Sequence, residues 1–406
     1  MKERVTKQGA TGGSRTSAAT RIVRSGFSNA PLVRTVGPPI QRASTILMPN
    51  AAALYDGSQE VYGRKGLATR ETLCRALAEM EGALGTRLYP SGLAAVAYTL
   101  IALLRAGDRI LVAEHVYRPT RAFCERTLRR FGVTVEYFPQ QSAPAEIERR
   151  LTDRTRLIFL ESPGSLSFQM QDVPAIAAMA RRRRVLTVMD NTWAAGFLFK
   201  PLAHGVDVSL QSLSKYAAGH SDVLMGAVSA GSRQALRLLD ASIEDFGNAV
   251  SPEDAYLVVR SLRTLPTRLR RHGESALKVA AWLKKQPEVI EVLHPAMAGA
   301  PGYRLWKRDY TGASGLFGFV LRPGPEAAAR AFLDTLTLFG LGFSWGGHES
   351  LALDCDPQRK WGTVIGKYAG PLMRLHIGLE EPADLIADLR RGLDAFAAAS
   401  RARRRK

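Results

Sequence analysis

Lys215 follows Ser212 and Ser214 in the stretch "DVSLQSLSKYAAGHSDVLMG" (207–226), where a strand-like run gives way to small and polar residues. A lysine in that position is either a side chain that snorkels from a buried stem to water or an amine whose pKa is lowered for Schiff-base chemistry. Twenty-five positions earlier, the strand-like run "VLTVMD" ends on Asp190. Parallel strands of an open sheet deliver their C-terminal ends to one crevice, so the carboxylate and the amine are expected at the same rim. A third group lies in "YPSGLAAVAYTL", where Ser91 and Gly92 make a tight turn before a helix that starts near Leu93. The free amides and positive dipole end of such a helix suit a phosphate, and the hydroxyls of Ser212 and Ser214 can donate to it as well.

Each signal alone has an ordinary structural explanation, since a small-residue turn before a helix is most often only a turn. Together they describe one ligand: an aldehyde for Lys215, a ring nitrogen for Asp190, and a phosphate for the amides at 92 and 93 and the two serines. Pyridoxal 5'-phosphate (PLP) has these three handles. An aspartate beside its pyridine nitrogen keeps that nitrogen protonated, so the ring can take up the electrons released when a substrate Cα proton leaves.

The elements that must position these groups are legible in the hydrophobic pattern. From about 60 to 260, short β-branched runs alternate with helix-period segments, the mark of βαβ units on a mostly parallel sheet. The strand candidates are 109–113, 156–162, 185–192, 207–213 and 224–230, with helices such as 93–105, 118–131 and 174–184 between them. Beyond about 262, Leu269, His272, Ala276, Val279 and Leu283 keep the three-and-four spacing of an amphipathic helix. A smaller α/β domain follows, with strand-like runs at 315–322 and 372–380 and a closing helix over 382–398. The expected division is a disordered basic tail over 1–20, an N-terminal arm over 21–65, a cofactor domain over 66–261 and a C-terminal domain over 262–406.

With 406 residues, 46% of them hydrophobic, the chain can bury one large core and a second smaller one. The longest apolar run, Val96 to Leu104, is about half of the roughly 18 residues needed to span a bilayer, so no membrane partner is expected. Three scattered cysteines, Cys74, Cys124 and Cys355, argue against a disulfide framework and for a reducing, cytoplasmic setting. Residues 1–26 lack the apolar segment of a secretory signal, while their basic, Ser/Thr-rich composition leaves an organellar transit peptide as the alternative. The net charge of +19 invites a nucleic-acid reading. That charge gathers in the N-terminal tail, in Arg181 to Arg184 and at the C-terminus, with no aromatic-interleaved basic stripe. A basic surface that aids solubility or attracts anionic metabolites fits better, and no nucleic-acid partner is expected.

The chain resembles the Cys/Met-metabolism family of PLP-dependent enzymes, most closely its bacterial cystathionine beta-lyase branch. The resemblance covers about 20 to 398. Its carriers are "QRAST" (41–45), "VYGRKG" (61–66), "YPSGLAAV" (89–96), "FLESPGSL" (159–166), "MDNTWAAGFLFKPL" (189–202), "SLSKYAAGHSD" (212–222), "KRDYTGASGLFGFVL" (307–321), "SWGGHESL" (344–351) and "RLHIGLE" (374–380). It implies a fold-type I architecture: a mostly parallel seven-stranded sheet sandwiched by helices, with a smaller C-terminal α/β domain. It implies that Lys215 is the Schiff-base lysine and Asp190 the partner of the pyridinium nitrogen, that Tyr117 stacks on the ring, and that Gly92, Leu93, Ser212 and Ser214 cradle the phosphate. Tyr62 and Arg64 match the pair that reaches the phosphate of the neighbouring subunit's cofactor, which implies a dimer and, in this family, dimers paired into tetramers. Arg374 matches the arginine that grips the substrate α-carboxylate, a task for its two-pronged donor, and Ser344 and Trp345 fall at the substrate.

The activity so implied is β-elimination of an amino-acid thioether, L-cystathionine, to homocysteine, pyruvate and ammonia, with Lys215 as general base and Tyr117 or Tyr62 assisting. Trp345 stands where gamma-synthases and gamma-lyases of the family carry a small or aliphatic residue; its alternative is a packing tryptophan with no part in selection. Phe343 replaces a common tyrosine and His348 a common aromatic, departures that bear on the distal substrate arm. A gamma-lyase, a broad cysteine-S-conjugate lyase or cysteine desulfhydrase, a gamma-synthase, and a basic regulatory protein on an enzyme scaffold remain alternatives. His115, His220, His348 and His376 lack metal-ligand spacing, so no metal is expected. Asn191 and Trp193 read as crevice packing, Cys124 and Cys355 as apolar fillers, and Glu161 and Ser165 as loop residues near the crevice without an assigned role.

Overall fold

The computed structural model describes residues 17–24, 35–57, 60–359 and 368–402. The expected basic tail lies outside the described residues up to position 16, and from Ala18 the chain is helical, through Arg24.

Seven strands form the larger sheet: β1 (Gly85–Tyr89), β2 (Arg109–Ala113), β3 (Thr134–Phe138), β4 (Thr155–Glu161), β5 (Leu186–Asp190), β6 (Val208–Ser212) and β7 (Gly226–Ala230). Their order is β1-β7-β6-β5-β4-β2-β3. The strands from β3 to β6 are parallel neighbours, while β7 runs antiparallel to both β6 and β1. The central strands are nearly continuous apolar runs because helices cover both faces; Leu157, Ile158, Phe159 and Leu160 of β4 are all fully buried. β1 and β3 were not among the sequence candidates. The first reads "GTRLY" and the second "TVEYF", each carrying a charge that an edge position tolerates.

The second sheet contains β8 (Val289–Leu293), β9 (Leu316–Leu321), β10 (Gly340–Leu341), β11 (Leu351–Asp354) and β12 (Leu372–His376), in the order β10-β11-β12-β9-β8. The helix Leu265–Leu283 joins the two cores. Its Leu265 and Leu269 pack into the core of the large sheet, and Ala276, Val279, Ala280 and Leu283 pack with Phe317, Phe319 and Phe332 in the second. The closing helix is longer than the expected 382–398, running from Pro382 to Ala402. Near the site, the expected 118–131 helix starts as Arg118–Phe123 and loosens into a π-helical turn over Cys124–Leu128.

Candidate active site

The parallel strands β4, β5 and β6 end at one rim of the large sheet, and Glu161 and Asp190 sit there in register on adjacent strands. This rim borders a cavity of about 510 Å³, lined among others by Gly92, Tyr117, Asp190, Ser212, Lys215 and Arg374. The convergence expected from strand polarity is therefore present.

Asp190 is held at its strand end by a local turn. Thr192 donates both its backbone N–H (3.0 Å) and its hydroxyl (2.6 Å) to Asp190 Oδ1, and the same hydroxyl accepts the N–H of Ser212 at 2.9 Å. Burial raises the Asp190 pKa, opposed by the Thr192 donors and by Lys215. Thr192 was missed in the sequence, although an Asp-x-Thr run at a strand end is the signal for an Asx turn.

Lys215 sits one short turn beyond β6. Ser214 builds that turn: its hydroxyl accepts Met225 N–H at 3.0 Å and donates to Met225 O at 3.3 Å. The Ser214 hydroxyl is thus committed to the backbone here. The Lys215 ammonium donates to Ser344 Oγ at 2.8 Å and lies 5.5 Å from the centre of the Trp345 ring. Burial and the nearby Arg374 charge lower its pKa to about 8, against the pull of Asp190. The loop carrying Ser344 and Trp345 can lie this close because Gly346 has φ +89°, and any Cβ there would come within 2.7 Å of Tyr216 N.

The helix Gly92–Leu103 starts at the cavity wall. Ser91 caps it by accepting Ala94 N–H on its hydroxyl (3.1 Å) and Ala95 N–H on its carbonyl (3.0 Å). The N–H groups of Gly92 and Leu93 are then the donors of the first turn that the helix itself does not use. A Cβ on Gly92 would stand 2.6 Å from Ser212 Cβ, so the cradle between these residues would be filled by any larger side chain. Amides at a helix start, the Ser212 hydroxyl, a recessed carboxylate and a low-pKa amine around one cavity fit the phosphate, ring nitrogen and aldehyde of PLP.

Arg374, on β12, is nine-tenths buried, and burial lowers its pKa. It donates to the carbonyls of Phe343 (2.6 Å) and Ser344 (3.2 Å), with its guanidinium at the cavity. Tyr117 lines the same cavity, and burial followed by the charges of Asp190 and Glu161 raises its phenol pKa, against the pull of Arg374. Phe343 is 79% exposed at the mouth.

Two predicted residues are not brought to this cavity within the chain. Tyr62 is bridged to Thr45 in the N-terminal arm, and Arg64 donates to Glu244 O at 3.4 Å. Three of the four histidines take structural hydrogen bonds, His115 Nε2 with Glu161 O (2.7 Å), His220 Nδ1 with Ala218 O (2.7 Å) and His376 Nε2 with Gly347 O (3.1 Å), while His348 Nδ1 lies 3.5 Å from Glu349 Oε2. Among the described residues no group of three His, Cys, Asp or Glu could hold a metal. Asn191 donates to Phe199 O and Trp193 to Leu316 O, both at 3.0 Å, which ties the crevice wall to its surroundings. Glu161 and Ser165, left without a role in the sequence, both line the cavity.

The sequence profile of the Cys/Met metabolism PLP-dependent enzymes matches residues 19–394. Cystathionine beta-lyase MetC of Escherichia coli is 41% identical over 387 residues, 92% of this chain and 97% of the relative. The cystathionine beta-lyase of Bordetella avium is 40% identical over 374 residues, 89% of this chain and 93% of the relative. A crystal structure of cystathionine gamma synthase from Xanthomonas oryzae in complex with cystathionine superposes with a TM-score of 0.89 at 33% identity, over 95% of this chain and 100% of that one.

Proposed function

The chain belongs to the Cys/Met metabolism PLP-dependent enzyme family, and from that premise we propose that it is a carbon–sulfur beta-lyase that cleaves L-cystathionine to homocysteine, pyruvate and ammonia. The observation that carries the reading is the placement of the Lys215 amine in one cavity with Asp190 and Arg374, beside Trp345. Relatives at 40–41% identity over nine-tenths of the chain that are themselves cystathionine beta-lyases support it.

The residues that would hold PLP are Lys215 at its aldehyde carbon, Asp190 at its ring nitrogen, Tyr117 against its ring, and Gly92, Leu93 and Ser212 around its phosphate, since the Ser214 hydroxyl is engaged by Met225. When bound, PLP supplies the sink for the electron pair that a departing Cα proton leaves behind. Arg374 orients the substrate by its α-carboxylate, and the bonds from its Nη2 to the carbonyls of Phe343 and Ser344 hold the guanidinium in place while it does so. Lys215, its amine brought near neutrality by burial, takes the Cα proton as general base. The Cβ–S bond then breaks, the sulfur leaves as a thiol after gaining a proton, and the released enamine hydrolyses to pyruvate and ammonia. Ser344 steadies the amine between these events, Trp345 shapes the wall that the thioether meets, and Tyr117 or Tyr62 assists the amine or the leaving sulfur.

The proposed enzyme is cytoplasmic and a homo-oligomer, a dimer of dimers, in which Tyr62 and Arg64 reach the phosphate of the neighbouring subunit. The arm over 21–65 would make that contact; Leu47 is 89% exposed and Tyr55 90% exposed, apolar surface of the kind a partner subunit covers. The cofactor domain over 66–261 and the C-terminal domain over 262–406 would meet at the cavity.

Incubation of the purified PLP-loaded protein with L-cystathionine tests the proposal. Pyruvate, homocysteine and ammonia in equal amounts are expected. Formation of 2-oxobutyrate and cysteine instead would make it a gamma-lyase. Inertness towards cystathionine, with turnover of an activated homoserine ester, would make it a gamma-synthase.

A further inference from the structure

Tyr117 ends the turn that leads from β2 into the helix Arg118–Phe123, and three hydrogen bonds fasten that turn to the end of β4 and the loop after it. The backbone N–H of Tyr117 donates to Glu161 Oε2 at 2.6 Å. His115 Nε2 meets Glu161 O at 2.7 Å, and Ser165 N–H donates back to His115 O at 3.0 Å. Only one of the three uses an acidic side chain, and that bond is made to Tyr117 itself.

The loop that supplies this clamp is held in an uncommon backbone conformation. Leu166 and Phe168, neither of them glycine, have φ of +63° and +53°, and both side chains are buried. Left-handed backbone at bulky residues costs free energy and persists where the surroundings impose it, most often at functional sites. Here the loop closes on itself through Phe168 N–H to Gly164 O and Gly164 N–H to Gln169 O, both at 2.9 Å. The result is a rigid shelf on which Glu161 stands at the strand end, in register with Asp190.

We propose that Glu161 is a positioning residue for Tyr117: by accepting the Tyr117 N–H it fixes the start of the helix Arg118–Phe123 and with it the plane of the tyrosine ring at the cavity. The functional part of this inference rests on Tyr117 being the ring partner of PLP; the structural part does not. Glu161 does not touch substrate in this role. Its carboxyl is buried beside Asp190, and both effects hold its pKa well above the ordinary carboxylate range. A neutral side chain of the same shape should therefore serve, whereas a shorter acid should not reach.

Three substitutions separate these requirements. Glu161→Gln keeps an acceptor of the same length, Glu161→Asp keeps the acid but withdraws it by one methylene, and Glu161→Ala removes both. In hydrogen-exchange mass spectrometry of the cofactor-free and PLP-loaded protein, the peptide covering 115–120 should lose amide protection about tenfold in Glu161→Ala and Glu161→Asp, the size expected for one bond to a carboxyl. Glu161→Gln should restore it. The visible circular dichroism of bound PLP should change in the same two variants and be restored by Gln, and kcat should follow. In a Tyr117→Ala background, Glu161→Ala should cost little more, because the pair acts as a unit.

Unchanged protection of 115–120 in Glu161→Ala overturns the proposal. So does full function in Glu161→Asp with loss in Glu161→Gln, which would make charge and not reach the requirement. A lower melting temperature with unaltered dichroism and kcat would reduce Glu161 to a fold stabiliser and also overturn it. Should Glu161→Ala fail to fold, the contrast of Asp with Gln decides. Absence of any Lys215-dependent PLP band in the unsubstituted protein would sink the proposed function, yet leave the exchange result to stand on its own.

Discussion

The Lys215 ammonium lies 2.8 Å from the hydroxyl of Ser344, across 129 positions of sequence. This bond joins the turn after β6 to the loop that carries Trp345, so the proposed base and the proposed substrate wall move together. Because burial, with Arg374, brings the Lys215 pKa down to about 8, the neutral amine gains as pH rises and predominates above that value. The rate at which cofactor-free protein acquires the PLP absorbance should climb about tenfold per pH unit below 8 and level off above it. A plateau reached only near the pKa of an ordinary lysine would contradict the assignment. Lys215→Ala should show neither the band nor turnover.

Asp190→Asn should keep the visible band but slow Cα proton loss roughly a hundredfold, since the ring nitrogen would lose its charge partner. Thr192 can still hold an amide oxygen at that place, so the fold should be unchanged. Exchange of the substrate Cα proton with deuterium oxide measures the step, and an unaltered exchange rate would remove Asp190 from its role.

Arg374→Lys should lower kcat/KM by about a hundredfold, near 3 kcal/mol. One ammonium cannot hold the carbonyls of Phe343 and Ser344 and also take a carboxylate in two-pronged fashion. Both KM and kcat should worsen, because the loop that steadies Lys215 loosens too. A change in KM alone would confine Arg374 to substrate capture.

Trp345→Leu should shift the keto acids formed from cystathionine from pyruvate towards 2-oxobutyrate. The indole lies beside the Lys215 amine and packs edge-on against Tyr216, with ring centres 5.5 Å apart. Chromatography of the two keto acids reads the partition. A lower melting temperature with the ratio unmoved would mark Trp345 as packing only.

Glu81 predicts a pH dependence of stability away from the cavity. Its carboxyl is fully buried, accepts Ser209 O–H and Gln211 N–H at 2.8 Å each, and is pushed up to about 7 by burial despite those donors. A carboxyl with a raised folded-state pKa binds protons more tightly folded than unfolded, so its contribution to stability falls as pH rises from about 4.5 to 7. Glu81→Gln should flatten the profile and gain about 2–3 kcal/mol at pH 8. Denaturant unfolding at pH 5 and pH 8 checks this, and an equal difference between the two proteins at both values would refute it.

The strands flanking the site were legible because their apolar runs are long and continuous, as in β2, whose bounds 109–113 are found as read. β1 and β3 were not, since Arg87 and Glu136 interrupt the pattern and only pairing with neighbours makes them strands. The helix over 118–131 was legible in kind, but its π-helical turn leaves no mark in residue spacing.

The sequence by itself determined that an amine, a carboxylate and a helix start would share one rim. Strand polarity and periodicity are local properties, and the ends of parallel strands follow from them. Only the tertiary structure decided which hydroxyl meets Lys215, that Ser214 is spent on Met225, that Glu161 holds the backbone of Tyr117, and that Tyr62 and Arg64 stand apart from their own chain's cavity. Those outcomes depend on the register between strands and on how distant loops pack together, to within the few tenths of an ångström that a hydrogen bond allows, and no local pattern carries that information.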